Sequence, residues 1–268
     1  MTVRTGAVAL VLAGLVVAGG TVVSAQVPDP PDPGGGVTVG ASSSTSGHDD
    51  LPDVRVRWNR GSGPAQMNKG LPNPPGWYRA AVGPRRPEKV LYLTFDDGPS
   101  RHTAALLRHL GRYRAKVTFF VTGAAASSRP RLVDRIHRQG HALGNHTWGH
   151  PRLTRISTAA VSSELRRTRI VVGPDMGDCM RPPYGLVNRR VAKASIAAGF
   201  QPVLWTAHIE DWVPHSGPWT TGQLRRGTRP GAVILMHDTH ATTVAAVAKM
   251  LPRWRAQGYR LAPLPGCS

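Results

Sequence analysis

Cysteine is nearly absent: 268 residues contain only Cys179 and Cys267. So widely separated a pair argues against a cysteine metal centre and leaves one disulfide or two free thiols. Acidic residues are scarce as well, 15 against 34 Lys and Arg, giving a formal net charge of +19. Lysine contributes only Lys69, Lys89, Lys116, Lys193 and Lys249, so the positive charge is almost all arginine. Two readings of that surplus stand: attraction to an anionic partner such as a cell-wall polymer, or a coding bias toward Arg. No Arg-rich cluster is interleaved with aromatics, which argues against nucleic-acid readout. No internal repeat is present, and nothing in the sequence implies a stable protein partner.

What is there divides into three parts. Residues 1–25 begin with Met1 and Arg4, run through a mildly apolar stretch from Gly6 to Val23, and end in Val23-Ser24-Ala25. This is the pattern of a secretory signal with a small-residue cleavage point; an uncleaved membrane anchor is the alternative, since the stretch nearly reaches bilayer length. Either way the bulk of the chain is expected outside the cytoplasm, secreted or associated with the cell wall. Residues 26–84 are rich in Pro, Gly, Ser and Asp, bury too little apolar surface to offset their ordering entropy, and read as a flexible linker. Residues 85–268 are left as one catalytic domain. Residues 26–80 balance five acids with five bases, and Arg4 adds one charge, so +18 falls on residues 81–268.

Within that domain, short β-favouring runs alternate with helical segments. Strands are expected at Val90–Phe95, Val117–Val121, Ala142–Asn145, near Met180, at Gln201–Thr206, Ala232–Met236 and Tyr259–Leu261. Helices are expected at Thr103–Leu110, Arg131–Gln139, Thr158–Ile170, Arg189–Ala198, near Gly222 and at Thr242–Gln257. Such alternation implies an α/β fold, a largely parallel sheet with helices outside, either open or closed as a barrel. Chemistry in these folds gathers at the C-terminal ends of strands.

The polar motifs fall at those ends. Asp96 and Asp97 follow the first strand, His146 and His150 follow Ala142–Asn145, Arg181 to Gly185 follow another, Asp211-Trp212 come after Thr206, and His237-Asp238 follow Met236. Asp97, His146 and His150 are one carboxylate and two imidazoles, a donor set suited to a divalent metal that keeps positions open for water. Asp96, beside that set, would take a proton from the water, with Arg181 holding it in its charged form. His237 would then be the acid that delivers a proton to a leaving nitrogen, supported by Asp211.

On these motifs the chain resembles the polysaccharide deacetylases, carbohydrate esterase family four, which share the NodB homology domain. The resemblance covers about residues 85–263. Thr94-Phe95-Asp96-Asp97-Gly98, His146-Thr147-Trp148-Gly149-His150, Arg181-Pro182-Pro183-Tyr184-Gly185, Asp211-Trp212 and Leu235-Met236-His237 stand in the family's order. The resemblance implies a distorted (β/α) barrel with fewer than eight complete repeats. It also implies zinc, cobalt or a similar divalent ion, an oxyanion held at the Tyr184 backbone N–H, and a substrate pocket shaped by Pro183, Trp212 and Leu235. The implied function is removal of N-acetyl groups from an amino-sugar polymer, peptidoglycan or chitin-type glycan. An acetylxylan esterase using the same site, and a catalytically silent wall-binding module, are the alternatives. The fourth motif departs from the family pattern: His208 stands where an acidic residue is common.

Overall fold

In the computed structural model of the chain, the structure describes residues 89–267. The expected signal peptide, the linker and residues 85–88 of the expected catalytic domain lie outside the described residues. Eight strands, β1 (Val90–Asp96), β2 (Thr118–Val121), β3 (Ala142–Asn145), β4 (Met176–Met180), β5 (Gln201–Pro202), β6 (Ala207–His208), β7 (Val233–His237) and β8 (Arg260–Leu261), form one sheet. The order is β5-β4-β3-β2-β1-β7-β6, with β8 paired to the start of β1, and every pairing is parallel. Parallel neighbours need crossovers, and helices supply them: α1 (Thr103–Arg112), α2 (Gly123–Ser128), α3 (Pro130–Arg138), α4 (Thr158–Val172), α5 (Arg189–Ala197), α6 (Gly217–Gly227) and α7 (Ala241–Ala256).

The sheet must curl. Flat, its two edge strands β5 and β6 would lie six spacings apart, about 29 Å. Yet only five Cα steps separate Pro202 on one edge from Ala207 on the other, a reach of at most about 18 Å. The link between them runs from one edge to the other: the Val203 N–H donates to Met180 O on β4, and the Thr206 N–H to Val233 O on β7. The result is the curled half-barrel that the sequence leads one to expect, short of eight complete repeats. The expected strand over Gln201–Thr206 is corrected here to β5, a four-residue link and β6. Pro202 has no N–H to extend β5 as a ladder, and Val203, Leu204 and Trp205 fill the barrel's interior instead.

Side-chain alternation then separates an inside from an outside. On β1, Leu91, Leu93 and Phe95 join the core under the helices with Leu106, Leu107 and Val247, while Val90 and Tyr92 join the inner cluster. Thr94 and Asp96 share the inner parity, so the interior column turns from apolar to polar toward the strand's C-terminal end. The same parity puts Leu235 and His237 of β7 inside. The interior's opposite end is filled by the C-terminal segment: Ala262, Leu264 and Cys267 are buried there, and the Leu264 N–H donates to Thr118 Oγ1 at 2.9 Å. The two cysteines form one disulfide, with Cα atoms 4.9 Å apart, which settles the choice left open by the sequence. At Gly177 a Cβ would sit 2.0 Å from Cys267 O, so only glycine lets the tail lie this close.

Sequence reasoning missed α2. Its Gly-Ala-Ala-Ala-Ser-Ser composition gives no amphipathic stripe, and its start is marked only by Thr122, whose Oγ1 accepts the Ala125 N–H at 3.3 Å. Among the described residues no helix is long and apolar enough to cross a membrane.

Candidate active site

The ends of β1, β3, β4 and β7 and the loops that follow them surround one cavity of about 280 Å³. It is lined by Asp96, Asp97, His146, His150, Pro182, Tyr184, Gly185, Trp205, Trp212, Leu235 and His237. The backbone there is unusual. Of the six non-glycine residues with positive φ among the described residues, Asp97 (71°), Thr147 (67°), His150 (59°) and Tyr184 (60°) belong to the candidate motifs, and Glu210 (50°) precedes Asp211. Left-handed backbone costs free energy for a residue with a Cβ, so its concentration here reflects positions held by their surroundings.

Asp96 is 2% exposed. Its Oδ1 accepts from Arg181 Nη1 at 2.8 Å, and its Oδ2 lies 3.8 Å from His146 Nε2. Arg181 is fully buried and committed on every side: Nη1 also donates to Thr94 Oγ1 (2.7 Å), Nη2 to Leu204 O (3.1 Å) and Nε to Val203 O (3.4 Å). Its guanidinium also stacks 4.2 Å from the Phe120 ring centroid. The link that closes the barrel therefore supplies the carbonyls that aim Arg181 at Asp96.

Asp97, His146 and His150 meet as expected. Asp97 Oδ1 is 3.4 Å from Nε2 of each histidine, and one donor atom from each of the three residues lies within 4.8 Å of the others. Donors about 2.1 Å from a shared ion at tetrahedral angles are themselves roughly 3.4 Å apart, so this set fits a metal. His146 Nδ1 lies 2.7 Å from Arg181 O, which can only accept, so Nδ1 is the donor to that carbonyl and Nε2 is the ring atom presented to Asp97. Burial, then the neighbouring His146, lower the pKa of His150 against the opposing pull of Asp97 and Asp96, favouring a neutral ring. Burial opposes the charge of Asp97, yet His146, His237 and His150 hold its carboxyl well below the usual carboxylate range.

The loop carrying the histidines is tied down from α4, a feature sequence reasoning missed. Glu164 Oε2 accepts the N–H groups of Trp148 (2.9 Å) and Gly149 (2.8 Å). Asn145 Oδ1 accepts the Thr147 N–H (2.8 Å) while its Nδ2 donates to Leu165 O (2.9 Å). Neither contact has a sequence signal.

Across the cavity His237 Nε2 lies 3.9 Å from Asp97 Oδ2, and its Nδ1 lies 2.8 Å from Asp211 Oδ1. Asp211 Oδ2 also accepts the His237 N–H (2.8 Å) and Thr243 Oγ1 (2.7 Å), which fixes the pair. Burial alone would lower the His237 pKa, but the hydrogen bond to and charge of Asp211, with Asp96 and Asp97 beyond, push it up to about 9. The rim carries half-exposed Tyr184 and Trp212, whose rings lie 4.6 Å from His150 and 5.8 Å from His237. Leu235 and Trp205 give the floor an apolar wall.

Pro183 is buried in the turn before Tyr184, and Pro182 is the proline that lines this cavity. The first of two adjacent prolines faces inward, a parity the motif does not reveal. Trp205 was also missed. It follows β5, an end at which a bulky residue could have been flagged. His208, the departure in the fourth motif, lies 5.7 Å from Trp212, ring to ring, with Nε2 3.4 Å from Glu210 Oε1.

A family profile described as polysaccharide deacetylase matches residues 83–203. The chain is 39% identical over 175 residues to a peptidoglycan-N-acetylglucosamine deacetylase of Listeria monocytogenes, covering 64% of this chain and 37% of that longer protein. It is 34% identical over 196 residues to a chitooligosaccharide deacetylase of Bradyrhizobium, covering 66% of this chain and 90% of that one. The structure of the peptidoglycan deacetylase PdaC from Bacillus subtilis superposes with a TM-score of 0.63 at 30% identity, covering 66% of this chain and 89% of that one.

Proposed function

The chain belongs to the polysaccharide deacetylase family, and from that premise we propose that it is a metal-dependent hydrolase removing N-acetyl groups from an extracellular amino-sugar polymer of the peptidoglycan or chitin type. The observation that carries this reading is the grouping of Asp97, His146 and His150 in one cavity, with Arg181-bound Asp96 on one side and Asp211-bound His237 on the other. Asp97, His146 and His150 would hold the ion, which when bound acidifies water and polarises an acetyl oxygen.

The chain's own groups divide the remaining work. The apolar wall of Leu235 and Trp205 seats the acetyl methyl. Asp96, with Oδ1 occupied by Arg181, has Oδ2 left to take a proton from the water that attacks the carbonyl carbon. The Tyr184 backbone N–H receives the charge that develops on the carbonyl oxygen. His237 is protonated at neutral pH and gives its proton to the nitrogen as the carbon-nitrogen bond breaks, releasing acetate and a free amino sugar. Asp211 stabilises the charged imidazole throughout.

Residues 85–268 form the catalytic unit in this proposal, residues 26–84 a tether and residues 1–25 the export signal, with an anionic wall polymer attracted by the basic domain. Acetate release from peptidoglycan, chitin oligomers and acetylxylan by the purified full chain tests the reading. Release from an N-acetylated glycan is expected; release from acetylxylan alone would make the chain an esterase, and release from none would leave a silent wall-binding module.

A further inference from the structure

Asp238 has no place in the steps above, yet it is fully buried next to His237 and one of its oxygens, Oδ1, has no hydrogen-bond partner among the described residues. A buried carboxylate with an orphan oxygen is costly and calls for an explanation. Its other contacts all lead to the turn that presents Asp97. Thr103 Oγ1 donates to Asp238 Oδ2, and the same Oγ1 accepts the Ser100 N–H at 2.6 Å. Ser100 Oγ donates to the Asp238 backbone carbonyl at 2.6 Å. Gly98 is packed against the carboxylate so closely that a Cβ there would lie 2.4 Å from Oδ1 and 2.6 Å from Oδ2. The far side of the turn has one further tie, the Thr122 N–H donating to Gly98 O at 3.2 Å.

Asp97 itself sits at φ 71°, a conformation its side chain disfavours, and must be kept there by its neighbours. The residue against which the next link of its chain rests is Asp238, and Asp238 is covalently next to His237. The geometry points to Asp238 as the positioning residue of this site: through Gly98, Ser100 and Thr103 it locks the Asp97 turn to the end of β7, setting the metal ligand Asp97 at a fixed distance from His237. This rests on the proposal that Asp97, His146 and His150 bind the ion. Asp238 does not touch substrate. Its effect is carried by the placement of Asp97.

The contact with Gly98 gives a sharp test. Gly98 does not occupy the left-handed region, so the obstacle to alanine there is the Asp238 carboxylate. Zinc affinity of the full chain is measured by competition with a chromophoric chelator, together with the visible spectrum of the cobalt-loaded protein and the melting temperature. The variants are Asp97→Ala, Asp238→Ala, Asp238→Asn, Ser100→Ala, Gly98→Ala and the Gly98→Ala/Asp238→Ala pair. Asp238→Ala should weaken zinc binding by roughly 10- to 100-fold, the usual size for a partner of a metal ligand, and alter the cobalt spectrum. Asp238→Asn, which keeps the volume and an acceptor for Thr103, should retain most of the affinity. Gly98→Ala should weaken binding at least as much as Asp238→Ala, and combining the two should restore part of the loss, because removing the carboxylate frees the space.

Wild-type affinity and spectrum in Asp238→Ala, alongside loss in Asp97→Ala, overturns the positioning role and leaves the metal site standing. A lowered melting temperature with unchanged affinity and spectrum overturns it equally. Unchanged affinity in Asp97→Ala overturns the metal site itself. If Asp238→Ala does not fold, Gly98→Ala and Ser100→Ala decide: unchanged zinc affinity in both overturns the inference.

Discussion

Asp96 and His237 flank the same cavity, and in the proposed reaction their partners prepare them for opposite tasks. Arg181 binds an oxygen of Asp96 and leaves it an acceptor, whereas Asp211 binds His237 and keeps it a donor. The two roles separate on substrates that differ in leaving group. Asp96→Asn should lower kcat on both an N-acetyl glycan and an aryl acetate by on the order of 10²- to 10⁴-fold. His237→Ala should depress the amide far more than the aryl ester, whose leaving group needs no proton; equal losses on both would remove His237 as the acid. The pH dependence follows from the sign of the His237 shift. Its pKa is raised to about 9, and the acid must be protonated to act, so kcat/KM should fall as pH rises through about 9. Asp211→Asn takes away the charge that opposes the effect of burial, so the alkaline limb should move to lower pH. A limb that stays in place would mean that Asp211 does not set it.

The elements decide which of these residues can meet. Asp96, Asp97, His146 and His150 were legible in the sequence because each follows a short apolar run, and a run that ends in Asp or His at a parallel strand's C-terminus points to the site. Glu164 and Asn145 were not legible: Glu164 reaches back 15 and 16 residues to the loop amides, and Asn145 forward 20 residues to α4. Trp205 escaped for a related reason, since the strand expected over Gln201–Thr206 would have alternated its side chains, whereas the observed link buries Val203, Leu204 and Trp205 together. The α4 anchor makes its own prediction. Glu164→Ala removes the one oxygen that accepts both the Trp148 and Gly149 amides, which should speed hydrogen exchange at residues 147–150 and weaken zinc binding roughly 10-fold. Wild-type exchange and affinity in that variant would show that the loop holds its shape without α4.

At the scale of the whole molecule, the half-barrel has two ends with different demands. The C-terminal ends of the strands open on the cavity, and the other end is filled by the segment 262–267 and fastened by Cys179–Cys267. The crosslink, 88 residues apart in sequence, constrains a long loop of the unfolded chain, a contribution of roughly 4 to 5 kcal/mol on a chain-entropy basis. Cys267→Ser should therefore unfold at a clearly lower urea concentration than the oxidised chain; coincident midpoints would assign the tail's stability to packing alone. The fold was legible in outline because alternating strands and helices leave few topologies. Its curl was legible only through the family resemblance and not in the alternation of elements, which suits an open sheet as well, because the curl comes from the crossing between β5 and β6.

The central claim is that acetyl removal depends on an ion held by Asp97, His146 and His150. It is tested most directly by stripping the purified full chain with a chelator, titrating zinc back, and following bound metal and acetate release from an N-acetylated glycan in the same samples, beside His146→Ala and His150→Ala. The expected result is that stripping abolishes release, that about one equivalent of zinc restores it, and that neither variant recovers metal or activity. Undiminished acetate release from the stripped chain, or full zinc occupancy in both variants, would contradict the claim.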